Sequence, residues 1–305
     1  MATFLIRRAL QTVLAVWVLG TIVFFLVYVA GDPISLLTSD TMMSTQEIAD
    51  LRRTLGLDQP LHIQYVLFVY NLVQGDFGVS YYSGRPALDM VLERFPATLY
   101  LVFTALAIAL VVGIPLGIIA AVRAGSWSDF SIRFFSVLGI SAPTFWIAIV
   151  FIFIFSVQFR ILPSTGMQGW QYFILPGVTL ALFRIAFFTR MIRSTLLDVF
   201  GHDYIRTARS KGLHEVVVTY KHSLKNALIP FVTIVGLEFG HLLAGAVVTE
   251  TIFAWPGMNR LALTAMYRLD YPVILAYAIV VGLLFATINL IVDIIYAVID
   301  PRIRY

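Results

Sequence analysis

Charge is scarce in this chain, and much of it sits where charge is costly. Glu238 and His241 stand three residues apart inside an apolar run, Asn289 and Asp293 four apart inside another, and Arg184, Arg190 and Arg193 crowd the second half of a third. Ionisable groups at membrane depth are expensive and face a cavity, a pathway or a partner. Glu238 and His241 are therefore expected to border a path for a solute. Asn289 and Asp293 share one helix face and are expected to pair with Arg184, Arg190 or Arg193 rather than relay protons. Zinc chemistry is excluded at Glu238-Phe-Gly-His241, which lacks the second histidine of H-E-x-x-H, and His62, His202, His214 and His222 form no close cluster with His241. Neither a G-x-S-x-G elbow nor a G-x-x-x-x-G-K-[ST] phosphate loop occurs, so no catalytic residue and no ATP site is assigned to this chain. With 0 cysteines there is no disulfide, thiol chemistry or cysteine-ligated metal.

The elements that hold these groups must be membrane helices. Hydrophobic residues make up 60% of the chain and charged residues 12%, with a mean hydropathy of +0.89; a soluble domain carries about a quarter charged residues. Roughly twenty apolar residues cross a bilayer as a helix, which satisfies its own backbone groups. Apolar runs at 9–30, 97–122, 134–157, 173–197, 229–249 and 273–298 predict six transmembrane helices, the third interrupted at Ser141-Ala142-Pro143. The first is too long for the core of a signal peptide, which spans about 7–15 residues, and is read as uncleaved. Of the 21 Lys and Arg, 14 then fall on one side and 7 on the other, which puts both termini inside by the positive-inside rule. The net charge of +4 thus records orientation rather than nucleic-acid binding.

Residues 31–95 form an acidic outer segment, so the chain is divided into 1–95 and a five-helix core at 96–305. Within the segment, Ser44-Thr45-Gln46-Glu47 is a capping box that opens a helix ended by Gly56. A second helix follows Pro60, with Leu61, Tyr65, Phe68, Val69 and Leu72 on one side, resting on the membrane surface or on the spans. Gly113 and Gly117, and farther on Gly236, Gly240 and Ala244, are small residues at four-residue spacing that let helices approach closely. The outer turn at 249–257 holds Phe253, Trp255 and Pro256, which serve either as a membrane-surface anchor or as an extracytoplasmic gate.

One stretch fits none of this. Asp198 to Pro230 is a polar, basic island between the fourth and fifth spans, too long for a hairpin. A helix from Asp203 to Lys211, stopped by Gly212, is followed by a second helical stretch, giving a bent bracket on the inner side. Ala208 and Gly212, four apart, offer a small face that could lie flush on a partner, with Arg206, Arg209 and Lys211 around it. A positively charged loop that anchors topology or binds anionic lipid has the same composition.

The island resembles the signature loop of ABC-transporter importer permeases, E-A-A-x3-G-x9-I-x-L-P. The pattern falls on Arg206-Thr207-Ala208, Gly212 and His222-Ser223-Leu224-Lys225, with Arg206, His222 and Lys225 departing from Glu, Ile and Pro. The form D-Y-I-R-T-A-R-S-K-G-L followed by K-H-S-L-K-N-A-L-I-P is similar to that of the oligopeptide/dipeptide/nickel branch. Gly31-Asp32-Pro33, the run Leu55–Pro60, the run Gly75–Ser80, Leu162-Pro163, Trp255-Pro256-Gly257 and Asp300–Tyr305 resemble, in order, the B-type permease of that branch. The resemblance implies an all-α permease of a bacterial or archaeal cytoplasmic (inner) membrane, with a coupling helix between its fourth and fifth spans. It implies as partners a second permease, two ATPase subunits or domains that bind ATP and Mg, and an extracytoplasmic binding protein. No cofactor is expected on this chain. Asp203, Tyr204, Arg206, Thr207, Ala208, Arg209, Lys211, Gly212 and Leu213 would face the ATPase. Peptide is the branch's usual solute, with glutathione, nickel or another small solute open. An ion-coupled carrier or channel, using Glu238 and Asp293, is the alternative.

Overall fold

The structure, a computed structural model, describes residues 2–37 and 44–299. The terminal Asp300–Tyr305 motif lies outside the described residues. All regular structure described is helical: α1 (Ala2–Ala30), α2 (Pro33–Leu37), α3 (Thr45–Thr54), α4 (Leu61–Val73), α5 (Ala87–Val122), α6 (Trp127–Ser141), α7 (Thr144–Phe151), α8 (Ile174–Phe200), α9 (Asp203–Ser210), α10 (Glu215–Val217), α11 (Leu224–Ile252), α12 (Met258–Tyr267) and α13 (Tyr271–Ile299). Five helical stretches are long and apolar enough to cross a membrane, and α6 with the α7 stretch makes a sixth if that bent pair is one span. The bend is 103°. Its cause is local: Pro143 forces Ala142 into extended backbone, ψ 127°, and Pro143 has no N–H with which to continue the ladder.

The chain forms two compact units. Among the described residues, the first joins those up to Ala97 to Pro256–Thr287, and the second joins Thr98–Trp255 to residues 288–299. In the first unit the capping box forms as read, with Ser44 N–H donating to Glu47 at 2.7 Å and Glu47 N–H to Ser44 Oγ at 3.3 Å. Helix α4 rests on α1 rather than lying apart: Tyr65 and Phe68 ring-stack with Phe24 and Phe25, and Tyr65 Oη is 2.8 Å from Thr21 Oγ1. The loop at 80–82 is tied to the turn before α13, where buried Asp270 accepts from Ser80 Oγ at 2.5 Å and Tyr81 N–H at 3.1 Å. Burial pushes the Asp270 carboxyl above its ordinary pKa, against these two hydrogen bonds.

In the second unit α8 is the hub, packing on α6, α7 and α11. Helix α5 reaches α8 through the small pair read from the sequence. A Cβ on Gly117 would lie 2.8 Å from the Thr189 carbonyl oxygen and 2.7 Å from Ile192 Cβ, so only glycine allows this approach. Gly236 in α11 lies against Val292 of α13, which makes the second small stripe, at this position, a contact between neighbouring helices of this chain.

Candidate functional site

The basic island folds as a self-supporting bracket between α8 and α11. Asp203 sits in the first turn of α9, where a carboxylate favours the positive end of the helix dipole. Ile205 and Ala208, three apart on one face, turn inward and form a small apolar core with Val199 and Val218. The helix ends in a Schellman motif: Leu213 N–H reaches the Ala208 carbonyl at 3.4 Å and Gly212 N–H the Arg209 carbonyl at 2.9 Å. Gly212 has φ +73°, and a Cβ there would meet nothing within 4 Å, so the position selects glycine through backbone conformation alone. Beyond the corner His214 caps the short α10 by accepting from Val216 N–H, and a π-helical turn over Val218–Ser223 leads into α11. Buried Ser223 donates to the Val218 carbonyl at 3.0 Å across that turn.

The face the bracket presents differs from the one its small residues suggested. Ala208 is 6% exposed and packs inside the bracket, so the Ala208–Gly212 spacing is not an outward contact face. The outward groups are Asp203, Tyr204, Arg206, Thr207, Lys211 and Leu213. Arg209 stiffens the corner: its guanidinium makes two bonds to Glu215, 2.8 and 3.2 Å, and lies 5.6 Å from the Phe200 ring centroid. Arg206 does no such bracing. Its side chain is 74% exposed and approaches Asp203 at 3.6 Å, one turn back in the same helix.

The charges of the spans find partners that spacing along the chain did not indicate. Arg184 of α8 forms a buried ion pair with Glu238 of α11. Arg193 grips fully buried Asp129 with two bonds, 2.7 and 2.9 Å, and Gly125 N–H donates to the same carboxylate at 3.0 Å. Of the three arginines expected to pair with Asn289 or Asp293, Arg184 pairs with Glu238 of α11 and Arg193 with Asp129 of α6, two helices packed beside α8. Sequence reasoning overlooked Asp129. The signal was a Ser126-x-x-Asp129 helix start, in which Ser126 Oγ accepts from Asp129 N–H at 3.3 Å. Glu238 and His241 do not share an environment, since Glu238 is buried against α8 and His241 is exposed.

At the far end of α11 the turn residues point inward. Trp255 is fully buried and meets the Phe173 ring edge-on at 4.7 Å. Phe253 packs with Ala148 and Leu175, and its carbonyl accepts from Gly166 N–H at 3.2 Å. Ala254 between them has φ +48°. Glu250, fully buried, accepts from Thr98 Oγ1 at 2.6 Å, while its carbonyl receives Trp255 N–H at 2.8 Å. Pro256 is half-buried.

Residues 113–305 match the family model of the binding-protein-dependent transport system inner membrane component, and residues 1–102 match that family's N-terminal membrane component. The chain is 42% identical, over 306 aligned residues and 100% of both chains, to the glutathione transport system permease protein GsiC of Escherichia coli K12. It is equally similar to the protein of that name from Shigella dysenteriae serotype 1. Among solved structures, the inward-facing MetNI methionine ABC transporter aligns with a TM-score of 0.58 at 20% identity, covering 69% of this chain and 96% of that one. An amino acid ABC transporter determined with histidines aligns with a TM-score of 0.52 at 16% identity, covering 70% and 94%.

Proposed function

The chain belongs to the binding-protein-dependent transport-system inner-membrane permeases, and from that premise we propose that its bracket is the element through which a partner ATPase drives transport. The protein is a multi-pass permease subunit of an ABC importer in the inner membrane. The rival reading, an ion-coupled carrier, finds no support among these relatives. In our reading both termini and the bracket lie in the cytoplasm. A second permease completes the path, two ATPases bind ATP and Mg, and an extracytoplasmic binding protein delivers solute from the outer side of the membrane. His241 is the group of the Glu238–His241 pair that borders the path. The solute is a small peptide of the glutathione kind, a choice supported by the relatives' names over the whole chain.

The observation that carries the coupling reading is a rigid corner whose charged residues face outward. Arg206, Tyr204, Lys211 and Leu213 lie exposed outside the bracket's own apolar core, while Ile205, Ala208 and the Arg209–Glu215 bonds hold its shape. When ATP draws two ATPases together, a bracket seated in a groove on each one moves with it. The helices into which it continues, α8 and α11, then tilt and exchange inward for outward opening.

Gly212→Val tests this. Forcing a β-branched residue to φ +73° costs about 1–2 kcal/mol, enough to reset the corner without dismantling the spans. The expected outcome is an assembled complex in which binding-protein-stimulated ATP hydrolysis continues but uptake into proteoliposomes falls about tenfold. Uptake at the unsubstituted rate rejects the bracket as the coupling element.

A further inference from the structure

We propose that Arg184 and Glu238 are positioning residues that clasp α8 to α11, so that the two helices and the bracket between them move as one lever. This rests on the coupling reading of the bracket, and it concerns a pair that does not touch the ATPase.

The geometry is that of a ladder with one charged rung. Helix α8 runs sixteen residues from Arg184 to its end at Phe200, about 24 Å at 1.5 Å per residue. Helix α11 runs fourteen residues from its start at Leu224 to Glu238, about 21 Å. The ion pair therefore joins the two arms at nearly equal distances from the bracket. Nearer the bracket, one turn along α8 and two along α11, an apolar contact repeats the join, with the Phe188 and Phe231 rings 5.1 Å apart and both residues buried. The side chains of the pair are 15% and 10% exposed, so they face each other rather than a water-filled route. The Arg184 guanidinium also lies 4.9 Å from the ring centroid of Phe183, its neighbour on α8. Removing either member strands the other charge in an apolar surround, whereas replacing both with the opposite signs keeps the rung. Without the rung, a push at the bracket would splay the arms instead of tilting them together.

The chain contains 0 cysteines, so two introduced cysteines at exposed positions, Ser194 on α8 and Lys225 on α11, accept spin labels with no background from this chain, and the same complex without them is the control for labelling of its partners. Distance distributions between them are measured in the complete transporter in nanodiscs, for the otherwise unsubstituted chain, Glu238→Gln, the conservative Glu238→Asp, and the exchange Arg184→Glu with Glu238→Arg. Uptake per ATP hydrolysed is read in parallel. The expected result is a narrow distribution that broadens in Glu238→Gln, with coupling lowered about tenfold, and that narrows in Glu238→Asp and in the exchange, with coupling restored. An unbroadened distribution in Glu238→Gln overturns the rung. An exchange that leaves uptake as low as Glu238→Gln while the distribution is narrow also overturns it, and assigns the carboxylate to the path. The spin-label distances do not depend on where the ATPase docks, so a failure of the bracket reading, seen as normal uptake in Gly212→Val, is distinguishable from a failure of the rung.

Discussion

The two ends of α11 solve the same problem in opposite ways. In the bracket that leads into it the chain turns at Gly212, φ +73°, and just beyond its other end at Ala254, φ +48°. At the bracket the polar groups face outward around an apolar core of Val199, Ile205, Ala208 and Val218. At the 253–255 turn the aromatic rings and even a carboxylate, Glu250, face inward and are satisfied within the chain. The difference is one of partnership. A turn that locks onto its own spans hides its hydrogen-bonding groups, whereas a turn that answers to another protein keeps its charges exposed and needs a stiff shape of its own.

The largest effect should come from breaking the inward turn. Trp255→Ala removes a fully buried ring packed on Phe173 and is expected to cost about 3–5 kcal/mol. The drop would appear as a large fall in Tm of the purified complex and as poor membrane yield; a Tm within error of the unsubstituted chain would show that the turn does not lock the fold. A smaller effect concerns pH. Asp270, buried in the turn that precedes α13, has a raised pKa, so its folded site favours the protonated form. Its stabilising contribution is full below the ordinary carboxylate pKa of about 4 and is lost as pH rises through the raised folded value. The unsubstituted chain should therefore gain Tm relative to Asp270→Asn as pH falls through the carboxylate range, and an unchanging difference would refute the assignment. The smallest effect on stability belongs to the bracket. Arg206→Ala should shift stability by less than about 0.5 kcal/mol, because its side chain is 74% exposed. It should nonetheless weaken ATPase association, measured by the salt concentration at which the ATPases dissociate. Loss of stability with intact association would reverse the roles assigned to the two ends.

Local signals in the chain read well. Ser44 and Glu47 stand at helix-start spacing and form the capping box, and Gly212 stands where α9 must stop and adopts the conformation that stops it. The apolar runs became membrane-length helices, although the third was resolved as a pair bent by 103°. Lateral relations were less legible. Gly117 announced a close approach without naming α8, and Arg184, Arg190 and Arg193 announced ion pairing without naming Glu238 or Asp129. Ala208 read as an outward face because a small residue beside a glycine fits a partner surface and an internal core equally well.

Composition and periodicity determined by themselves that this is a helical membrane protein, where its long apolar segments lie and that a basic island interrupts them at 198–230. These are properties of single segments, fixed by the transfer of apolar side chains out of water and by backbone groups that must bond within the helix. The tertiary structure alone decided that Arg184 meets Glu238, that Arg193 meets Asp129 and that Phe253 and Trp255 face inward. Which helix lies beside which depends on packing summed over whole faces, and neither the period nor the spacing of one helix records its neighbour.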